Sequence, residues 1–191
     1  MKKKSTLYKI FRPLIVFFTK VFLHPKYEGL DNIPSSGRVI LAGTHKSIFD
    51  PFALITATKR QIHFLAKKEL FDGLFGFLFK NLGLIKVDRK KHSVDALTPS
   101  IDYLKAEEVI GIFPEGTFPK HNELLLPFKN GVSKIAYESN SMVVPFVIKG
   151  KYGFRKKGLT IKFLKPISIK TNNYELETDK LRNLILSEME K

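Results

Sequence analysis

The chain of 191 residues contains no cysteine. That excludes disulfides, a thiolate nucleophile and cysteine-ligated metal, and it fits a reducing compartment. Tryptophan is absent as well. Acidic residues are scarce, 18 against 33 Lys plus Arg, for a formal net charge of +15. None occurs from Met1 to Tyr27, and none from residue 149 to 165. Such an imbalance points to an anionic partner: nucleic acid, a membrane surface or a phosphorylated substrate. There is no G-x-S-x-G elbow for a serine nucleophile, no Walker loop and no dinucleotide-binding glycine fingerprint. His24, His63, His92 and His121 show no metal-ligand spacing, so no metal site is expected. No internal repeat, low-complexity tract or long linker divides the chain. No apolar run is long and clean enough to span a bilayer: the N-terminal one is broken by Lys9, Arg12, Pro13 and Lys20. No small-residue cleavage site follows it, so it does not read as a signal peptide.

What is present is a chain with 43% hydrophobic residues and 17 Phe, enough for one domain with a sizeable core. Near the N-terminus, Leu7, Ile10, Phe11, Leu14, Ile15, Phe18, Val21 and Phe22 recur at three- and four-residue steps. This predicts an amphipathic helix, kinked or restarted at Pro13. Two readings suit it. The helix docks on the core with a basic face in solvent, or it lies in a membrane interface behind Lys2, Lys3 and Lys4. The latter makes residues 1–26 a membrane-facing segment and 27–191 the main domain. Short apolar runs then alternate with helical patterns. Strands are expected at RVILAG, IHFLAK, LIKVDR, VIGIF, MVVPFVIKG and LTIKFLKPISI. Helices are expected after residue 50, across ELFDGLFGFLFKNLG, across HSVDALTPSIDYLKAEE with an interruption at Pro99, from about Val132, and at the C-terminus. That alternation predicts an α/β fold, a single domain with a mainly parallel sheet flanked by helices.

In such sheets, active sites lie beyond the carboxyl ends of the strands. Charged stretches stand at three expected ends: THKSIFD, Asp88-Arg89 and PEGT. His45 and Asp50 lie five apart, a poor spacing for one helix face, so they can meet only at a strand-to-helix turn. There a carboxylate can orient an imidazole, whose ordinary pKa near ~6.5 suits a general base. A substrate hydroxyl could then be the nucleophile. Capping explains the same residues: Asp50 as an N-cap before Pro51, or Ser47 and Asp50 as a capping box. In FPEGT, residues 113–117, Pro114 and Gly116 force a turn that holds Glu115 at the strand end and can aim backbone amides at an anion; an ordinary polar turn has the same composition. Arg89 and Lys129 suit phosphate contacts, or are surface charges.

Together and in this order, HKSIFD, GLIKVDR, FPEGT, PFKNG and VVPFVIKG resemble the conserved blocks of the glycerolipid acyltransferases, of the kind that acylate 1-acyl-glycerol-3-phosphate. The resemblance runs from about Tyr27 to Ile169. It implies that His45, oriented by Asp50, deprotonates the sn-2 hydroxyl of lysophosphatidic acid. The alkoxide attacks an acyl thioester of acyl carrier protein or coenzyme A, giving phosphatidic acid without a covalent acyl-enzyme. It implies acceptor-side roles for Ser47, Arg89, Glu115, Gly116, Thr117 and Lys129, and no cofactor beyond the donor thioester. It further implies contact with an anionic bilayer, no nucleic-acid partner, and a peripheral or monotopic place at the cytoplasmic face of the cell membrane. The Phe-rich LFDGLFGFLF is either an acyl-chain groove or ordinary core. Two positions depart from the family: Thr44 stands where asparagine is frequent, and Phe118 where an arginine usually holds the acceptor's phosphate. Phe118 leaves two routes open. Lys120, Lys129 or Arg89 compensates, or the acceptor is another alcohol, such as glycerol-3-phosphate or another lysophospholipid. A reading from a different class, a non-catalytic basic module on membranes or nucleic acid, accounts for the charge but not for His45, Asp50 and FPEGT at strand ends.

Overall fold

The structure is a computed structural model. It describes residues 6–73, 76–88, 94–119, 123–153 and 158–191. Lys2, Lys3, Lys4, Arg89, His92, Lys120 and His121, named above, lie outside the described residues.

The central apolar runs form strands that bury both of their faces. The strands are β1 (Lys26–Glu28), β2 (Val39–Gly43), β3 (Ile62–Lys67), β4 (Ile85–Val87), β5 (Val109–Ile112), β6 (Met142–Lys149), β7 (Thr160–Phe163) and β8 (Ile167–Ser168). Their spatial order is β1-β7-β6-β2-β5-β3-β4, with β8 also on β6. The pairs from β6 through β2, β5 and β3 to β4 are parallel, while β7 and β8 run antiparallel to β6. The mainly parallel sheet is as expected. Within β2, Val39 and Leu41 enter one core cluster while Ile40 and Ala42 enter the other. This two-sided burial is why the strands read as continuous apolar runs rather than alternating ones.

One face carries α1 (Thr6–Phe18), the π-turn segment Thr19–Leu23 and α2 (Asp50–Ala57). The other carries α5 (Val94–Lys105), α6 (Gly131–Ser139) and α7 (Tyr174–Met189). Two short helices, α3 (Glu69–Asp72) and α4 (Gly76–Asn81), link β3 to β4. Pro145 sits within central strand β6. Its carbonyl accepts Leu164 N–H at 2.8 Å on the β7 side. Its missing N–H lies on that same side, just past the end of β7.

One expectation is corrected, and one of two alternatives at Pro13 is removed. Pro99 does not interrupt α5, which runs continuously through it; Ala96 and Leu104, buried on the sheet, hold the helix on both sides of the proline. Likewise α1 runs through Pro13 without restarting. The N-terminal apolar residues divide between the core and the surface. Tyr8, Ile15, Phe18 and Leu23 pack on the core, and Arg12 ties the helix down by donating to the Thr58 carbonyl at 2.9 Å. Ile10, Leu14 and Phe17 point outward, 59%, 62% and 65% exposed. The helix therefore docks on the domain and still presents an apolar ridge to its surroundings. Among the described residues, no helix is long and apolar enough to cross a membrane.

β1 was not expected from the sequence. It pairs in parallel with β7, Lys26 opposite Thr160 and Glu28 opposite Lys162.

Candidate active site

Parallel order brings the carboxyl ends of β5, β2 and β6 side by side. The segments that leave those ends meet over the sheet edge. After β2, Thr44 is buried and its hydroxyl accepts the Ile148 N–H of β6 at 2.9 Å. This fixes the chain at the point where it lifts off the sheet toward His45. Gly43, just before it, has the Phe146 carbonyl so close that a Cβ would stand 2.1 Å from that oxygen. Only glycine lets β2 and β6 approach this closely there.

His45 and Asp50 meet across the turn. His45 Nδ1–H donates to Asp50 Oδ2 at 2.8 Å. The same oxygen accepts the Lys46 N–H at 2.7 Å and the Ser47 N–H at 2.9 Å. Asp50 is fully buried, with Pro51 as the second residue of α2. Its bond to Ser47 N–H is the one a capping box would make. Yet α2 is entered through Phe49, with no side-chain cap bond. The carboxylate therefore gathers the loop and the imidazole rather than the first turn of the helix. Its other oxygen, Oδ1, accepts the Tyr152 hydroxyl at 2.6 Å. Burial above all, then the Asp50 charge, push the Tyr152 phenol far above its ordinary range, so it stays a donor.

The turn after β5 closes the other side. Phe113 stacks on the His45 ring at 3.9 Å, and Phe118 leans on it at 4.3 Å. Glu115 is 4% exposed, and its two oxygens accept the N–H groups of His45 and Leu126, each at 3.0 Å. Burial pushes its carboxyl above the ordinary carboxylate range, and those two N–H groups pull it part of the way back. Gly116 has a positive φ of 68° and lies beneath the Lys129 side chain, whose Nζ would be 3.1 Å from a Cβ placed there. Lys129 N–H in turn donates to the Pro114 carbonyl at 3.0 Å. Thr117 is exposed on the rim. Thus His45, Ser47, Asp50, Glu115, Gly116 and Lys129 are held in one linked frame, with Thr117 beside it.

The His45 side chain keeps 17% exposure. With Nδ1 on Asp50, Nε2 on the far edge of the ring is the nitrogen placed to take a proton. Among the described residues, no group of three or more His, Asp or Glu is positioned to hold a metal ion. Beside the site opens an apolar groove of about 340 Å³ lined by Phe18, Phe22, Leu23, Phe49, Tyr152 and Gly153. Phe77, from the Phe-rich stretch, is instead 80% exposed.

Residues 24–149 match the Acyltransferase family. The chain belongs to that family. It is 32% identical over 127 residues to the 1-acyl-sn-glycerol-3-phosphate acyltransferase of Bacillus subtilis, covering 65% of this chain and 62% of that one. It is 30% identical over 159 residues to the enzyme of that name in Saccharomyces cerevisiae, covering 76% and 52%. It thus spans about half the length of the curated relatives it matches. Its fold matches that of PlsC, the 1-acyl-sn-glycerophosphate (LPA) acyltransferase of Thermotoga maritima, with a TM-score of 0.77 at 23% identity. The match covers all of this chain and 83% of the other.

Nothing in motif or spacing marks Tyr152 or the tie from Glu115 to His45. Tyr152 lies 102 positions from its partner, just past the family match. The available signal was topological: β6 ends beside β2.

Proposed function

We propose that the chain transfers an acyl group from a thioester, carried on acyl carrier protein or coenzyme A, to the sn-2 hydroxyl of 1-acyl-glycerol-3-phosphate, forming phosphatidic acid. The observation that carries this reading is the buried Asp50 bonded to His45 at 2.8 Å, beside the Glu115–Thr117 turn, in a member of the acyltransferase family. The names of the relatives in B. subtilis and yeast support the acceptor.

In the proposed reaction, Nε2 of His45 takes the proton of the sn-2 hydroxyl as its oxygen attacks the thioester carbonyl carbon. Asp50 holds the ring and stabilises the imidazolium that forms. The Gly116 N–H is committed to the Phe113 carbonyl at 2.9 Å, so in this reading the Thr117 backbone amide serves the charge that develops on the carbonyl oxygen. The tetrahedral intermediate collapses, the C–S bond breaks, and the thiolate leaves with the proton from His45. The bond to oxygen remains in the product ester, and no acyl-enzyme forms. Lys129 and Arg89 serve the acceptor's phosphate, while Ser47, Glu115, Gly116 and Thr117 shape that end of the cleft. The exposed ridge Ile10, Leu14 and Phe17, with Lys9 and Lys20 exposed beside it, supports residues 1–26 as the segment that rests on an anionic bilayer where both lipids reside.

The test is acyl transfer from a labelled thioester to lysophosphatidic acid in detergent micelles, comparing the parent with His45→Ala. Product from the parent and a loss of at least about a thousandfold in the folded variant are expected. A His45→Ala variant as active as the parent overturns the mechanism. A parent inactive with both donors overturns the acceptor assignment.

A further inference from the structure

The segment that leaves β6 contributes Tyr152, a residue outside every block that defines the site. Asp50 is fully buried, and its two oxygens do different work. Oδ2 gathers His45 Nδ1–H and two loop N–H groups. Oδ1 accepts the Tyr152 hydroxyl at 2.6 Å. A carboxylate bonded through one oxygen can still turn about its Cβ–Cγ bond. Bonded through both, its plane is fixed, and so is the direction from which it meets the imidazole.

The tyrosine is itself held firmly. Its ring lies against Phe49, centroids 6.1 Å apart, and walls the apolar groove. Behind it stands Tyr27, whose hydroxyl is committed to the Ala53 carbonyl at 2.8 Å. The bond thus joins a rigid apolar wall to the carboxylate that orients the proposed base.

We propose that Tyr152 is a positioning residue of the reaction: its hydroxyl, donated to Asp50 Oδ1, fixes the carboxylate plane that aims His45. This inference rests on the reading of His45 as the general base.

Tyr152→Phe removes one oxygen and keeps the ring and its packing. Three effects are expected. Turnover falls roughly tenfold, the size of one lost charge-assisted hydrogen bond. KM for lysophosphatidic acid stays within about twofold, because no substrate contact is removed. The acid limb of the pH–rate profile moves up by about one unit, since a carboxylate relieved of a donor holds a proton on the neighbouring imidazole more strongly. The other ionisable groups facing the pair stay in place: Lys46 in the same loop, Glu115 after β5, Lys149 at the end of β6, and Tyr27. In an Asp50→Asn background, Tyr152→Phe adds no further loss, whereas a purely structural role multiplies the two. An unmoved limb with multiplicative losses overturns the inference. His45→Ala run in parallel separates the two readings. If it abolishes turnover while Tyr152→Phe behaves as the parent, only the role of Tyr152 falls; if it is active, the general base falls. Should Tyr152→Phe fail to fold, replacing tyrosine throughout with 3-fluorotyrosine gives a more acidic phenol and a stronger donor. The limb then moves to lower pH, and an unmoved limb overturns the inference.

Discussion

Replacing Glu115 with Gln breaks the frame of the site without touching His45 or Asp50 side chains. Glutamine has the same shape. Its amide, however, offers one acceptor where the carboxylate offers two to the N–H groups of His45 and Leu126. The NH2 end must face an N–H, donor against donor. One buried N–H is left without an acceptor whether or not the carboxyl is ionised, which costs about 1–3 kcal/mol. For a domain of this size that lowers the melting temperature by roughly 3–10 °C. The pH dependence has a definite sign. Burial raises the Glu115 carboxyl above its ordinary range, so ionisation is harder in the folded chain than in the unfolded one. The stability this supplies is fully present below the ordinary carboxylate pKa and is lost as pH rises through the raised value. Glutamine does not titrate. The gap between parent and variant is therefore widest on the acid side and narrows as pH rises across that window. Thermal unfolding followed by circular dichroism over about pH 4–8 measures it. Turnover falls at least about tenfold, because the backbone that carries His45 is released and small displacements of a base are costly. A variant with the parent's melting temperature and turnover, or a gap that widens with pH, refutes this role for Glu115.

Gly43→Ala places a methyl 2.1 Å from the Phe146 carbonyl oxygen and 2.7 Å from its ring. β2 and β6 must then part, and the urea midpoint should show a loss of about 3 kcal/mol; an unchanged midpoint contradicts the close approach. Replacing Ile10, Leu14 and Phe17 together with Ser should cut co-sedimentation with anionic vesicles at least about tenfold. The melting temperature should move little, since all three are exposed; vesicle binding equal to the parent's would rule the ridge out as the contact.

The layered α/β architecture was legible because period and burial agree: the runs 39–43 and 143–148 are apolar throughout, as a strand covered on both faces requires. The pairing of His45 with Asp50 was legible because a five-residue spacing makes sense only at a strand-to-helix turn. Three-residue β1 was not legible. Its pairing is set by β7, more than a hundred residues away, and KYE carries no period of its own. The split of the N-terminal stripe was hidden for a related reason. Helical periodicity shows that a helix has an apolar side, not how much of that side the sheet can cover. Phe17 and Phe18 are adjacent and equally apolar, yet Phe18 packs on the core while Phe17 is 65% exposed. Tyr152 escaped because its partner is fixed by strand order, which motif spacing does not encode.

The pairing of β1 with β7 also bears on the order in which the chain assembles. On the ribosome, at about 5–20 residues per second, Lys26–Glu28 emerges several seconds to tens of seconds before Thr160–Lys162 exists to receive it. Throughout that interval α1 is complete, while Leu159, Ile161 and Phe163 of its docking cluster are still unmade. Closing so large a loop is entropically slow, which makes this corner a late step in folding. The nascent chain therefore passes through a stage in which α1 can already reach α2 and the Thr58 carbonyl while the β7 side of their shared cluster is still missing.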